Sequence, residues 1–292
     1  MAVSTLHKPD AQNSIVDIEM IGLDEITRAR DELLERMVTY FSEPSEVLGI
    51  LLGGSIPSGT ADSYSDIDLR IIATPEHHAH LVANRLSTPT EWDGWLFNEW
   101  LEETEHCVSH FRPFFKVDVF YWRYDRLVPS PWYKLPTEVL LDRTGVVQRF
   151  LDESKQLEFQ PVDAREASRV ISKAIACAHE VLRRARRGEL FYAHTLLEKL
   201  RSYLILMEDW ISSFSPTCAA DLKLQNRLST RLGGALKQSY VNLDSYELEA
   251  AVIHLCELLL LQVPELHTTF SLDRPIANDL HAIKLIASRQ IA

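Results

Sequence analysis

The segment LLGGSIPSGTADSYSDIDLRII, residues 51–72, constrains this chain more than any other. Apolar runs close both of its ends: EVLGILL leads in and RIIA leads out, and each reads as a short buried strand rich in Ile, Leu and Val. The loop between them begins with Gly53, Gly54 and Ser55 and finishes at Asp66 and Asp68. Side chains alternate along a strand, so Ile67 and Leu69 can enter a core while Asp66 and Asp68 share the opposite face. An unpaired buried carboxylate is costly. The segment therefore calls for a cation beside its aspartates.

A third carboxylate raises the same demand. FFKVDVFYW (114–122) reads as another strand, with Asp118 its one acidic residue and Val117 and Val119 on the opposite face. Three carboxylates gathered by neighbouring strands repel one another unless a cation lies between them. Magnesium suits the place, because it is a hard ion that takes oxygen ligands and keeps positions open for phosphate. Two such ions on shared carboxylates can hold the attacking and leaving oxygens of an in-line displacement. Gly53 and Gly54 let the backbone approach a ligand, and successive N–H groups with Ser55 can grip phosphate oxygens. A triphosphate is the expected occupant. No Gly-Lys-Ser/Thr follows, so the loop is not a Walker A sequence.

On these residues the chain resembles the DNA polymerase β-like nucleotidyltransferase superfamily. Gly54 and Ser55 fall on that family's nucleotide-gripping pair, Asp66 and Asp68 on its metal pair, and Asp118 on its third carboxylate. The motif covers residues 48–72 and 114–122; the remainder is similar in layout to aminoglycoside and lincosamide adenylyltransferases. The resemblance implies an α+β fold, with a mixed-sheet catalytic domain over 1–155 and a C-terminal helical, acceptor-binding domain over 156–292. It also implies Mg2+ as the metal and ATP or another NTP as co-substrate.

The rest of the chain agrees with that division. DEITRARDELLERMVTYF places Ile26, Ala29, Leu33, Met37 and Tyr40 at helical spacing, and Pro75 opens a short helix in PEHHAHLVANRL. GWLFNEWL and HCVSHFR read as strands, with a turn at Arg112-Pro113; TGVVQRFLD fits either a strand or a helix start. From about Val162 helical periodicity dominates, with further segments over 248–261 and 276–286. Gly188, Pro216, Gly233-Gly234 and Pro264 are expected to punctuate these helices.

Other features fit two readings each. TEWDGWLFNEWLEETEH holds six acidic residues, three tryptophans and no Lys or Arg, which suits a solvated edge strand with core tryptophans or a cationic ligand. Glu99 in this segment is the candidate general base. Lys199 and Arg201 are candidate counter-charges for the triphosphate, whereas Arg183, Arg184 and Arg186 read as a solvated helix face. His77, His78 and His80 lack metal-site spacing and are expected at the surface. Cys107, Cys177, Cys218 and Cys256 make no CxxC pair and read as core residues in a reducing compartment.

A formal charge of −12 disfavours a nucleic-acid partner. No targeting segment or membrane span is visible, and a cytoplasmic location follows by default. The expected activity is magnesium-dependent transfer of a nucleoside monophosphate, AMP from ATP, to a hydroxyl of a small and aminoglycoside-like acceptor. The alternatives are an antitoxin-like enzyme that modifies a protein partner, or a non-catalytic nucleotide-binding module.

Overall fold

The two apolar runs pair as antiparallel strands β1 (Val47–Gly53) and β2 (Ile67–Ala73), with Gly53 opposite Asp68. They sit inside a six-stranded mixed sheet ordered β3-β4-β5-β2-β1-β6, completed by β3 (Trp95–Asn98), β4 (His106–Phe111), β5 (Phe115–Arg123) and β6 (Thr137–Asp142). Only β2 and β5 run parallel. The computed structural model describes residues 22–99, 104–158, 162–212 and 224–289. The chain divides into two compact units, Met1–Glu158 and Phe159–Ala292.

Alternation decides the faces of the sheet. Ile67, Leu69, Val117 and Val119 point into a core shared with α1 (Leu23–Ser42) and α2 (Pro75–Ala83). Each such side chain, taken out of water, contributes about 1.5–3 kcal/mol. The other face is apolar at one end only, where Leu51, Ile72 and Trp122 pack under α3 (Val146–Gln156). Asp68 and Asp118 lie further along the same strands, away from that cluster. The segment that fits strand or helix, TGVVQRFLD, thus belongs to a helix. β6 carries no strong alternation and escapes sequence reading; it is an edge strand of mostly half-buried residues.

On α1 the buried stripe is Ile26, Arg30, Leu33, Met37 and Phe41. Phe41 is 1% exposed and Tyr40 43%, so the periodic reading erred by one position at the helix end. Phenylalanine takes the inward place because tyrosine keeps its hydroxyl near water. His78 also departs from expectation. It is 5% exposed, and its Nε2 donates to the Tyr121 carbonyl at 3.2 Å, tying α2 to β5.

The second unit is helical: α4 (Ala164–Arg186), α5 (Leu190–Ile211), short α6 (Leu224–Arg227), α7 (Thr230–Ser239), α8 (Ser245–Phe270) and α9 (Ile276–Ala287). Asp163 caps α4, Ser229 caps α7 and Asp244 caps α8. Gly188, at φ 73°, ends α4 as expected. Gly233-Gly234 and Pro264 do not punctuate; they lie inside α7 and α8. Proline in a helix interior costs about 3 kcal/mol, but the fully buried Leu259, Val263 and Leu266 around it together gain more. Pro216 and Cys218 lie outside the described residues, while Cys107, Cys177 and Cys256 are buried free thiols. Among the described residues no helix is long and apolar enough to cross a membrane.

Candidate active site

The parallel register of β2 and β5 sets Asp68 beside Asp118 and Ile67 beside Val117. Alternation then sends both carboxylates to the face away from the α1/α2 core. Asp66 stands just before β2, presented by a small turn in which Asp62 Oδ1 accepts from the Tyr64 N–H at 2.9 Å. Helix α1 steadies that turn: Arg30 donates to the Asp62 carbonyl at 2.6 Å, and Thr27 bonds Ser63 at 3.0 Å. The buried arginine on α1 therefore serves the site loop.

One cation answers the demand that the aspartates make. Lys116, two residues before Asp118 and on the same face, places Nζ 2.7 Å from Asp118 Oδ2 and 2.9 Å from Asp66 Oδ2. Burial works against its charge, but the hydrogen bonds to Asp118 and Asp66 outweigh burial and hold its pKa above the ordinary range. Asp68 is shifted upward, first by burial and then by its neighbour Asp66; Arg70, Asp118 and Lys116 act more weakly. Arg70 donates from Nη1 to the Asp68 carbonyl at 3.0 Å, and its guanidinium lies 5.2 Å from the Phe120 ring centroid. Sequence reasoning missed Lys116 and Arg70. The signal was present in Lys-x-Asp and Asp-x-Arg, since residues two apart on a strand share a face.

The glycines also do a job that the sequence alone does not show. Gly54 has φ +81°, and a Cβ there would lie 2.3 Å from Asp68 Oδ2. At Gly53 a Cβ would lie 2.4 Å from Arg70 Nη1. These glycines admit the chain's own carboxylate and guanidinium against the turn. Next in line, the Ser55 hydroxyl is buried with no hydrogen-bond partner. Asp118 Oδ1 is likewise buried and unpartnered. Two orphaned oxygens in one site point to a ligand, because buried polar atoms are rarely left unpaired.

These donors fit a hard divalent cation. All three are carboxylates, one holds an unused buried oxygen, and burial, then repulsion from Asp66, already pushes Asp68 upward. They do not form a closed cage: among the described residues no three acidic, histidine or cysteine side chains stand as a metal set. Lys116 occupies the space between two of them.

Glu99 continues the ladder beside β3, its N–H bonded to the Val108 carbonyl at 2.9 Å, and Val108 faces Asp118 on β5. Glu99 therefore lies two strand spacings from Asp118, about 10 Å. His110 donates to Glu99 Oε1 at 3.0 Å and stacks on Phe97 with centroids 4.4 Å apart. The tryptophans of this segment do not all face outward. Trp92 packs against Phe41 and Tyr40, and Trp95 donates to Asn98 Oδ1 at 3.0 Å, so both follow the core reading. Trp100, Glu102 and Glu103 lie outside the described residues.

Lys199 and Arg201 are on α5 of the helical unit. Lys199 is exposed, but Arg201 is 1% exposed and wholly engaged. Arg201 donates to Glu198 and the Ser239 hydroxyl at 2.5 and 2.8 Å, also to the Ser239 carbonyl, and lies under the Tyr240 ring. It clamps α5 to the end of α7 and has no solvent edge to offer a triphosphate. Arg183 and Arg184 pair with Glu180, and Arg186 with Glu249, as a helix face would.

The family described as streptomycin adenylyltransferase has a sequence model that matches residues 27–287. No curated protein sequence matches the chain. Among solved structures, an aminoglycoside 6-adenyltransferase from Bacillus subtilis is similar at 14% identity and TM-score 0.44, over 90% of this chain and 99% of the other. A nucleotidyltransferase-like protein from Exiguobacterium sibiricum is similar at 13% identity and TM-score 0.40, over 92% and 91%. A CCA-adding enzyme reaches 10% identity and TM-score 0.30, over 93% and 76%.

Proposed function

The chain belongs to the streptomycin adenylyltransferase family, and from that premise we propose that it moves AMP from ATP to a hydroxyl of an aminoglycoside-like molecule with magnesium as its metal. Membership makes it a nucleotidyltransferase enzyme. One observation carries the finer reading: Asp68 and Asp118 share a strand face, with Asp66 joined to Asp118 through Lys116, beside a glycine turn whose buried serine hydroxyl has no partner.

In this reading the acceptor oxygen attacks the α-phosphorus. A new P–O bond forms, the bond to the bridging oxygen breaks, and pyrophosphate leaves. The turn at Gly54 and Ser55 holds phosphate oxygens through backbone N–H groups and the free hydroxyl. Asp66, Asp68 and Asp118 would hold magnesium. When bound, that ion neutralises the triphosphate and polarises the reacting oxygens. Glu99 receives the acceptor proton, oriented by His110. The helical unit supplies acceptor binding. Streptomycin and its relatives are cations, which suits the acidic segment that contains Glu99.

The test is incubation of the full chain with labelled ATP, magnesium and a panel of streptomycin, other aminoglycosides and lincosamides. Label should pass to one class of acceptor with release of pyrophosphate, and D66N, folded by circular dichroism, should transfer none. Folded wild type that binds magnesium and ATP yet labels nothing would reduce the protein to a nucleotide-binding module.

A further inference from the structure

The proposed chemistry of the site leaves Lys116 without a role. Its position is not incidental. Alternation along β5 puts it on the face of Asp118, and the parallel β2–β5 pairing, which starts at Ile67 and Val117, leaves Asp66 within its reach. Its ammonium spans both carboxylates, at 2.7 and 2.9 Å, while Asp118 keeps a second buried oxygen free. Arg70, the neighbouring cation, bonds the Asp68 main chain instead.

We propose that Lys116 is a resident counter-ion that a divalent cation must displace. This rests on the reading of Asp66, Asp68 and Asp118 as metal ligands. One ammonium for three carboxylates leaves the cluster acidic, so the site is held together without being satisfied. A divalent ion brings more charge to the same oxygens and uses the free Asp118 Oδ1. Lys116 can leave at small cost, because its side chain is 35% exposed and sits on a flexible stem. Competition of this kind weakens binding of the bare metal and keeps the strand ends assembled in its absence.

The experiment is titration of manganese, without nucleotide, into the full-length wild type, K116M and K116R. Removing the competitor should tighten manganese binding about tenfold in K116M, given the strength of partly exposed ion pairs. K116R keeps the charge and should bind manganese no more tightly than wild type. A folded K116M that binds manganese no better than wild type overturns the proposal, and so does a K116R that gains as much as K116M. A purely structural lysine predicts the opposite sign, since its loss would loosen the ligands. If K116M folds poorly without metal, the readout becomes the rise in Tm on adding manganese. That rise must then exceed the wild type's. Absence of manganese binding in all three chains, even with a non-hydrolysable ATP analogue, removes the metal reading itself and this inference with it. Equal binding in all three removes the inference alone.

Discussion

Gly54→Ala is the sharpest perturbation that the site allows, because a matched control sits five residues away. Gly54 and Gly59 both have positive φ, +81° and +68°, but a Cβ at Gly59 meets nothing within 4 Å. G59A therefore isolates the conformational term, about 1–2 kcal/mol for an L-residue in the left-handed region. G54A adds a collision: its Cβ lies 2.3 Å from Asp68 Oδ2, where ordinary contact begins at 3.4 Å. The carboxylate must retreat by about 1 Å, off its rotamer, at a further cost of roughly 0.5–1.5 kcal/mol. Thermal unfolding should show G59A melting about 3–6 °C below wild type and G54A a few degrees lower again. The larger effect should be on transfer. A misplacement of about 1 Å in a metal-holding group can cost on the order of 100-fold, whereas G59A should transfer normally per folded molecule. The assay is pyrophosphate release beside a melting curve for each variant. G54A that matches G59A in both would mean that Asp68 is not held against the turn.

E99Q removes the proposed base while preserving shape. It should lower kcat about 100- to 10,000-fold with ATP affinity unchanged, and a weakened ATP affinity instead would place Glu99 on the nucleotide side. R201M removes a buried guanidinium whose partners stay behind, so the helical unit should lose about 2–4 kcal/mol in urea unfolding. Normal nucleotide affinity is expected of the R201M chains that fold; a selective loss would return Arg201 to the phosphates. Burial pushes the Cys256 thiol up to about 12 and raises Cys107 and Cys177 as well. All three should then stay as thiols at neutral pH and resist alkylation until the chain unfolds, which peptide mapping of native and denatured protein would read directly.

Local pattern made much of this protein legible. Period-two alternation around Ile67 and Leu69 specified both the buried strands and the face of the aspartates, because one strand carries that information alone. Period 3.6 located α4, α5, α8 and α9 for the same reason. The endpoints and interruptions were less readable. Phe41 replaced Tyr40, and Pro264 was absorbed into α8, because packing against other elements outweighed the local signal. β6 was invisible, being an edge strand with little to bury.

The chemistry divides along the same line. The sequence by itself determined that Gly53, Gly54 and Ser55 precede a carboxylate pair on one strand face, and that Asp118 stands ready on another strand. Only tertiary structure decided what those groups meet. That Gly54 receives Asp68 depends on β1 pairing antiparallel with β2, and that Lys116 bridges Asp66 and Asp118 depends on β2 pairing in parallel with β5. The two strands are joined through α2, β3 and β4, and strand alternation sets a side chain's face but not its partner across so long a connection. The partner is chosen by register, and register is set by burying Ile67 and Val117 side by side.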